Sequence, residues 1–147
     1  TITNPADFRR YTTIKFKFNF GSDVPLIRTA EMILIDAEAL ARTPGKEAEA
    51  HDLLYALQKN RDANAVKSTN TGAALIDEIL LERRKELYAE NGVEWFDAKR
   101  LRKGITRTGN HRIFKNLSAD DKRFFLKVPQ SEIDANESID DTVNKDR

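Results

Sequence analysis

The stretch from Glu82 to Arg100 (ERRKELYAENGVEWFDAKR) constrains the fold most, because its charges do not simply coat a solvent face. Ile76, Ile79, Leu80 and Leu87 form an apolar ladder at helical spacing, and the ladder runs straight through Arg83. An arginine on an apolar stripe needs a carboxylate, since an unpaired buried charge costs several kcal/mol. Glu86 and Glu90 follow one and two turns later, within helical reach. Gly92 supplies the freedom for positive φ that ends a helix. Trp95 and Phe96 then restart an apolar face with Asp97 and Arg100 embedded in it. The pattern predicts two helices meeting at a corner of arginine, carboxylate and tryptophan.

Upstream, Ile14, Phe16, Phe18 and Phe20 alternate with Lys15, Lys17 and Asn19, which predicts a short N-terminal strand with one buried face over residues 11–20. Such a strand must bury its phenylalanines against a partner layer, or leave an apolar patch that favours self-association. From Leu26 to about Arg42, Ile27, Ala30, Leu34, Ala37 and Ala41 recur at helical spacing, and Pro44-Gly45 ends that helix. A second helix is predicted over Glu47 to Asn60, with Ala50, Leu53, Leu54 and Leu57 inward. Residues 64–71 read as a polar loop. A third helix is predicted from Ala73 to Asn91 and a fourth from Glu94 to Lys103. Beyond them lie an irregular segment and a brief extended stretch, Phe124 to Val128, stopped by Pro129. The reading is a mainly α chain of two antiparallel helix pairs, with residues 1–136 as the domain and 137–147 as a frayed tail.

Three blocks carry a resemblance to a known family. The corner reads E-R-x-x-E-L-x-x-E-x-G-x-x-W-x-D-x-x-R. Arg28-Thr29-Ala30-Glu31-Met32 through Ala37-Glu38-Ala39-Leu40 forms the second block, and Phe125-Leu126-Lys127-Val128-Pro129-Gln130-Ser131-Glu132-Ile133-Asp134-Ala135-Asn136 the third. In this order and spacing they resemble the C-terminal part of the SusD/RagB family, surface nutrient-binding lipoproteins of Bacteroidetes. Glu94 stands where members often carry arginine, and Glu137 where proline is usual. The resemblance implies tetratricopeptide-like αα-hairpins. The chain itself lacks a 34-residue repeat. It also implies capture of oligosaccharides or other nutrients without catalysis or cofactor. The implied partner is a SusC-like TonB-dependent transporter of the outer membrane. The anchor would be a lipid-modified cysteine upstream, so that the present chain reads as a fragment of a longer protein. The structural corner expected on this basis comprises Arg28, Glu31, Glu38, Arg83, Glu86, Glu90, Trp95, Asp97 and Arg100.

Composition excludes several classes. Charged residues make up 33% but balance to a net +1, so there is no general attraction to nucleic acid or anionic lipid. With no cysteine there is neither disulfide nor thiolate metal site. His51 and His111 stand far apart in sequence, without a metal-ligand pattern around them. Glu86 and Glu90 have the separation of a retaining glycosidase pair. Each has an arginine or lysine within helical reach, however, and a carboxylate held ionised by arginine cannot serve as general acid. Lys99, Arg100, Arg102, Lys103, Arg107, His111 and Arg112 form a basic cluster without interleaved aromatics for base stacking. Tyr55, Tyr88 and Trp95 are the aromatic candidates for stacking on sugar rings. Helical spacing places Trp95 on the corner stripe, where a core role is expected. The rival from another class is an α-helical adaptor that binds a peptide or protein in a groove.

Overall fold

The computed structural model describes residues 15, 23, 25–108 and 116–145. The strand expected over residues 11–20 lies outside the described residues, Lys15 excepted. Among the described residues there is no strand, and the chain is mainly helical. The helices are α1 (Thr29–Ala41), α2 (Glu47–Arg61), α3 (Gly72–Glu86), α4 (Val93–Arg100) and α5 (Gln130–Ala135). Two compact units are present, with the division in the chain between Glu94 and Trp95.

In the first unit α1 packs against both α2 and α3. Ala30, Ala37 and Ala41 on α1 are buried together with Leu34, and small side chains let two neighbours approach one helix closely. Ala50, Leu54 and Leu57 of α2 and Leu75 and Ile79 of α3 complete the core, with Ile33, Leu40, Leu53 and Ile76 against it. These are largely the positions that the 3.6-residue period selects. Gly45 (φ +78) turns the chain between α1 and α2, which form an αα-hairpin.

The link to α3 is different. Glu47, at the start of α2, accepts from the backbone N–H of Gly72 at the start of α3 (2.8 Å). Arg61 and Glu86, the last residues of the two helices, are also bonded (2.8 and 2.9 Å). α2 and α3 therefore run parallel, each antiparallel to α1. The connection, residues 62–71, has to return along their length. A 15-residue helix is about 22 Å long, and ten extended residues reach roughly 33 Å. The return is pinned on the way. Lys67 pairs with Asp52, and Ser68 and Asn70 both donate to Glu78. Burial pushes the Glu78 carboxyl up, but the bonds from Ser68, Asn70 and Gln58 outweigh it and hold the group below its ordinary value.

Helix bounds differ from the sequence expectation at three places. α4 stops at Arg100 instead of Lys103, and the chain beyond it turns through Arg102 at positive φ (50). The other two differences have tertiary causes. α1 starts at Thr29 instead of Leu26 because the Asn91 side chain takes the carbonyls of Pro25 and Leu26 (3.0 and 2.9 Å), holding that segment out of the helix. α3 stops at Glu86 instead of Asn91. Beyond buried Leu87 the backbone enters the left-handed region at Ala89 (φ 59), Asn91 (φ 44) and Gly92 (φ 69). Gly92 does take the positive φ expected of it, but well past the end of α3 at Glu86.

In the second unit Trp95 lies against Phe124, ring centroids 4.7 Å apart and tilted by 43°. Ala98, Phe124 and Ile133 are buried. Phe124 ends a 3-10 turn, Lys122–Phe124, started by an Asp121 side chain that accepts from the Arg123 N–H. A frayed tail is expected from residue 137. The structure places a second 3-10 turn at Asp141–Asn144, and the Asn144 amide is bonded to both the N–H and the carbonyl of Val128 (2.9 and 3.0 Å). Ile105 and Leu117 form an antiparallel bridge with two 2.9 Å backbone bonds.

That bridge leaves no room beside it. A Cβ on Gly104 would lie 2.1 Å from the Leu117 carbonyl oxygen. Backbone held by two hydrogen bonds cannot yield as a flexible side chain would. Gly104→Ala is therefore expected to destabilise the unit by about 3 kcal/mol. Chemical denaturation measures the loss, and amide exchange at Ile105 and Leu117 should speed up with it. An unchanged denaturation midpoint would contradict this packing.

Candidate functional site

The densest chemistry in the first unit gathers around Arg28. Its position before α1 is extended (φ −131, ψ 148), which swings the side chain away from the helix it precedes. Nε donates to Glu90 Oε2 (3.0 Å) and Nη1 to Glu86 Oε1 (2.7 Å), while Nη2 donates to the Glu86 carbonyl (2.7 Å) and lies 2.9 Å from Glu90 Oε1. Only a planar, forked cation reaches two carboxylates and a backbone oxygen at once. The early end of α3 frees the Glu86 carbonyl for Arg28, because the Glu90 N–H, which a continued helix would bond to it, goes to the Leu87 carbonyl instead (3.1 Å).

Arg61 closes the cluster from the other side, its Nε and Nη2 bonded to the two Glu86 oxygens. Bonds from Arg61, opposed by burial and joined by those from Arg28, lower the Glu86 carboxyl to about 2. Both arginines are raised in turn by these carboxylates. A group whose folded value lies below its ordinary 4.5 stabilises the fold above that pH and loses the contribution as pH falls towards 2. The Glu86 side chain is only 8% exposed. Replacing it with glutamine should therefore flatten the acid limb of the stability profile, removing on the order of 2–3 kcal/mol of pH dependence between pH 4.5 and 2. Thermal melts across that range test it, and an acid limb as steep in Glu86→Gln as in the parent would refute the assignment.

The remaining corner residues are paired as well. Arg83 is buried and donates from Nη2 to Glu31 Oε1 (2.9 Å), joining α3 to α1. Glu38, also buried, accepts from Arg42 one turn on (2.8 and 2.9 Å). Asp97 accepts from Arg100 within α4 (2.8 Å). Glu94, where arginine is usual in the resembled family, pairs with Arg84 (2.7 Å). Sequence reasoning missed Arg61. It lies 25 residues from Glu86, and nothing in its surroundings on α2 marks it.

The aromatic candidates separate. Tyr55 is half-buried on α2, and Trp95 is taken up by Phe124. Tyr88 is 61% exposed on the turn after α3. Of the basic cluster, Arg102 pairs with Asp120 (3.1 Å), Arg100 with Asp97, and Lys99 lies over the Phe125 ring (5.1 Å). His111 and Arg112 lie outside the described residues.

Chemically, the cluster around Arg28 holds helices together. Glu86 is ionised at any physiological pH and is clamped between two cations, so it holds no proton to donate. Among the described residues no group of His, Cys, Asp and Glu is placed to hold a metal ion, and no helix is long and apolar enough to cross a membrane.

No curated protein and no solved structure matches the chain. A family model does, that of the SusD family, over residues 9–144, and it takes in all three sequence blocks, the whole Arg28 cluster and both units. With nearly its full length matched, the chain belongs to the SusD family of nutrient-binding outer-membrane proteins.

Proposed function

We propose that this chain is the helical scaffold of a non-catalytic glycan-binding protein, which captures oligosaccharides at the cell surface and passes them to a TonB-dependent transporter. In this reading the protein is held at the outer membrane by a lipid anchor upstream of the present residues. It uses no cofactor and changes no covalent bond. What supports the reading is the family membership, together with the commitment of the corner acids to arginines. Glu86 and Glu90 share Arg28, so neither is poised as acid or nucleophile.

The test has two arms. Polysaccharides incubated with the chain should show no turnover, and activity that vanished in Glu86→Gln or Glu90→Gln, with folding intact, would overturn the non-catalytic assignment. Calorimetric titration of the chain with plant and host oligosaccharides should give binding weaker than micromolar, because a shallow partial site buries little ligand surface. Co-purification of the intact protein with its transporter from outer membranes tests the partner.

A further inference from the structure

The second unit carries two aromatic doublets, Trp95-Phe96 and Phe124-Phe125, and each splits the same way. Trp95 and Phe124 pack on one another, with 4.7 Å between ring centroids, while Phe96 is 63% and Phe125 51% exposed. The two outer rings are linked by Lys99. It stands one turn along α4 from Phe96, and its ammonium lies 5.1 Å from the centre of the Phe125 ring. Leu126, next in the chain, is 86% exposed. Single exposed apolar side chains are ordinary, whereas rings gathered around a cation call for a partner. Charge is uneven here too. Residues 95–108 and 116–128 hold eight basic and three acidic side chains, although the whole chain is nearly neutral. The three acids are already taken, Asp97 by Arg100, Asp120 by Arg102 and Asp121 by Arg123. Lys99 and Lys127, both exposed, have no carboxylate partner among the described residues.

We propose that Phe96, Lys99, Phe125, Leu126 and Lys127 form a contact surface for anionic lipid, with the apolar side chains set among the acyl chains and the lysines at the headgroup phosphates. The inference goes beyond nutrient capture and rests on the outer-membrane placement of the family, not on glycan binding. Two features favour lipid over an acidic protein. A protein carboxylate has a fixed position that a forked guanidinium matches best, and Arg100, Arg102 and Arg123 are engaged within the unit. The cations beside the outer rings are lysines, whose long stems lie along apolar surface while the ammonium reaches mobile phosphates. Phenylalanine and leucine flanked by lysine are also the combination that settles at a membrane interface. The chain contains no cysteine, so this contact is made by side chains alone and is separate from a lipid anchor.

The experiment is co-flotation of the chain with vesicles, either of phosphatidylcholine alone or of phosphatidylcholine with an equal part of phosphatidylglycerol. The chain should float with the mixed vesicles and stay behind with phosphatidylcholine, and molar salt should release it. Lys127→Gln should weaken partitioning about fivefold, the loss expected for one lysine at an anionic surface. Leu126→Asp should weaken it by about tenfold or more, since an inserted apolar side chain is lost and a like charge is added. Circular dichroism checks that both exposed substitutions leave the helices intact. Val66→Ser, at an equally exposed apolar position in the other unit (83%), is the control and should float like the parent. No flotation with mixed vesicles, equal flotation with both kinds, or parent-like flotation of Leu126→Asp and Lys127→Gln would each overturn the surface. So would a dimer in sedimentation that Leu126→Asp dissolves, since a second copy would then cover the patch. Glycan capture and co-purification with a transporter are separate readouts, so either reading can fail without the other.

Discussion

Arg28→Ala is expected to destabilise the first unit by about 3 kcal/mol, the low end of the range for breaking a buried ion pair. The guanidinium serves two carboxylates whose side chains are 8% and 5% exposed, and it also bonds the carbonyl that ends α3. Removing it leaves both acids in a site built for a cation, and the cost of that desolvated charge is the larger part of the loss. Arg28 is itself 26% exposed, so water entering the gap recovers some of it. Arg28→Lys should restore little, since an ammonium cannot bond side by side to Glu90 and reach Glu86 as well. Arg61→Ala should cost less, about 1 kcal/mol, because that side chain is 52% exposed and its pair is screened. Urea denaturation with an unchanged slope measures all three. An Arg28→Ala midpoint within error of the parent would show that the cluster contributes nothing to stability.

What the sequence reveals and what it conceals divide along the range of the interactions. Leu34, Leu54 and Ile79 are fully buried, and each stands at a position that helical periodicity selects, because burying one face is a local pattern, whereas Leu75, also fully buried, lies off the expected ladder through Ile76 and Leu80, which are only partly buried. Arg83 is likewise legible, since a charge on an apolar stripe declares its need for a partner. The identity of that partner is not local. Glu31 lies 52 residues away and Arg28 lies 62 from Glu90, distances over which no spacing rule operates. The same holds for the helix ends. Nothing in Leu26-Ile27 opposes a helix, and the segment stays out of α1 where Asn91 claims the carbonyls of Pro25 and Leu26 from 66 and 65 residues on. The parallel course of α2 and α3 is hidden for a related reason. A ten-residue polar connection permits either direction, and the choice falls to Glu47 on Gly72 and Arg61 on Glu86. Trp95 was legible as a packing residue, whereas Phe124 as its neighbour was not.

Arg83→Ala should be the most damaging single change in the corner, costing about 3–5 kcal/mol. Arg83 is 7% exposed on the inner face of α3, and Glu31, its partner at 2.9 Å, sits on α1. Truncation therefore both opens a cavity at the α1–α3 contact and leaves the Glu31 carboxylate without this cation. These two costs can be separated. Arg83→Met fills most of the volume but keeps the lone acid, so it should recover only the packing part. Arg83→Met with Glu31→Leu removes the charge as well as the partner, and a well-packed apolar replacement of a buried pair is often neutral. The double variant should therefore be more stable than Arg83→Met alone by roughly 2 kcal/mol or more. If Arg83→Met and the double variant unfold together, desolvated charge is not what makes Arg83 costly to lose. The conclusion would then be that the stripe tolerates a carboxylate as readily as an arginine, and the ion pairs of this corner would mark specificity of helix docking instead of stability.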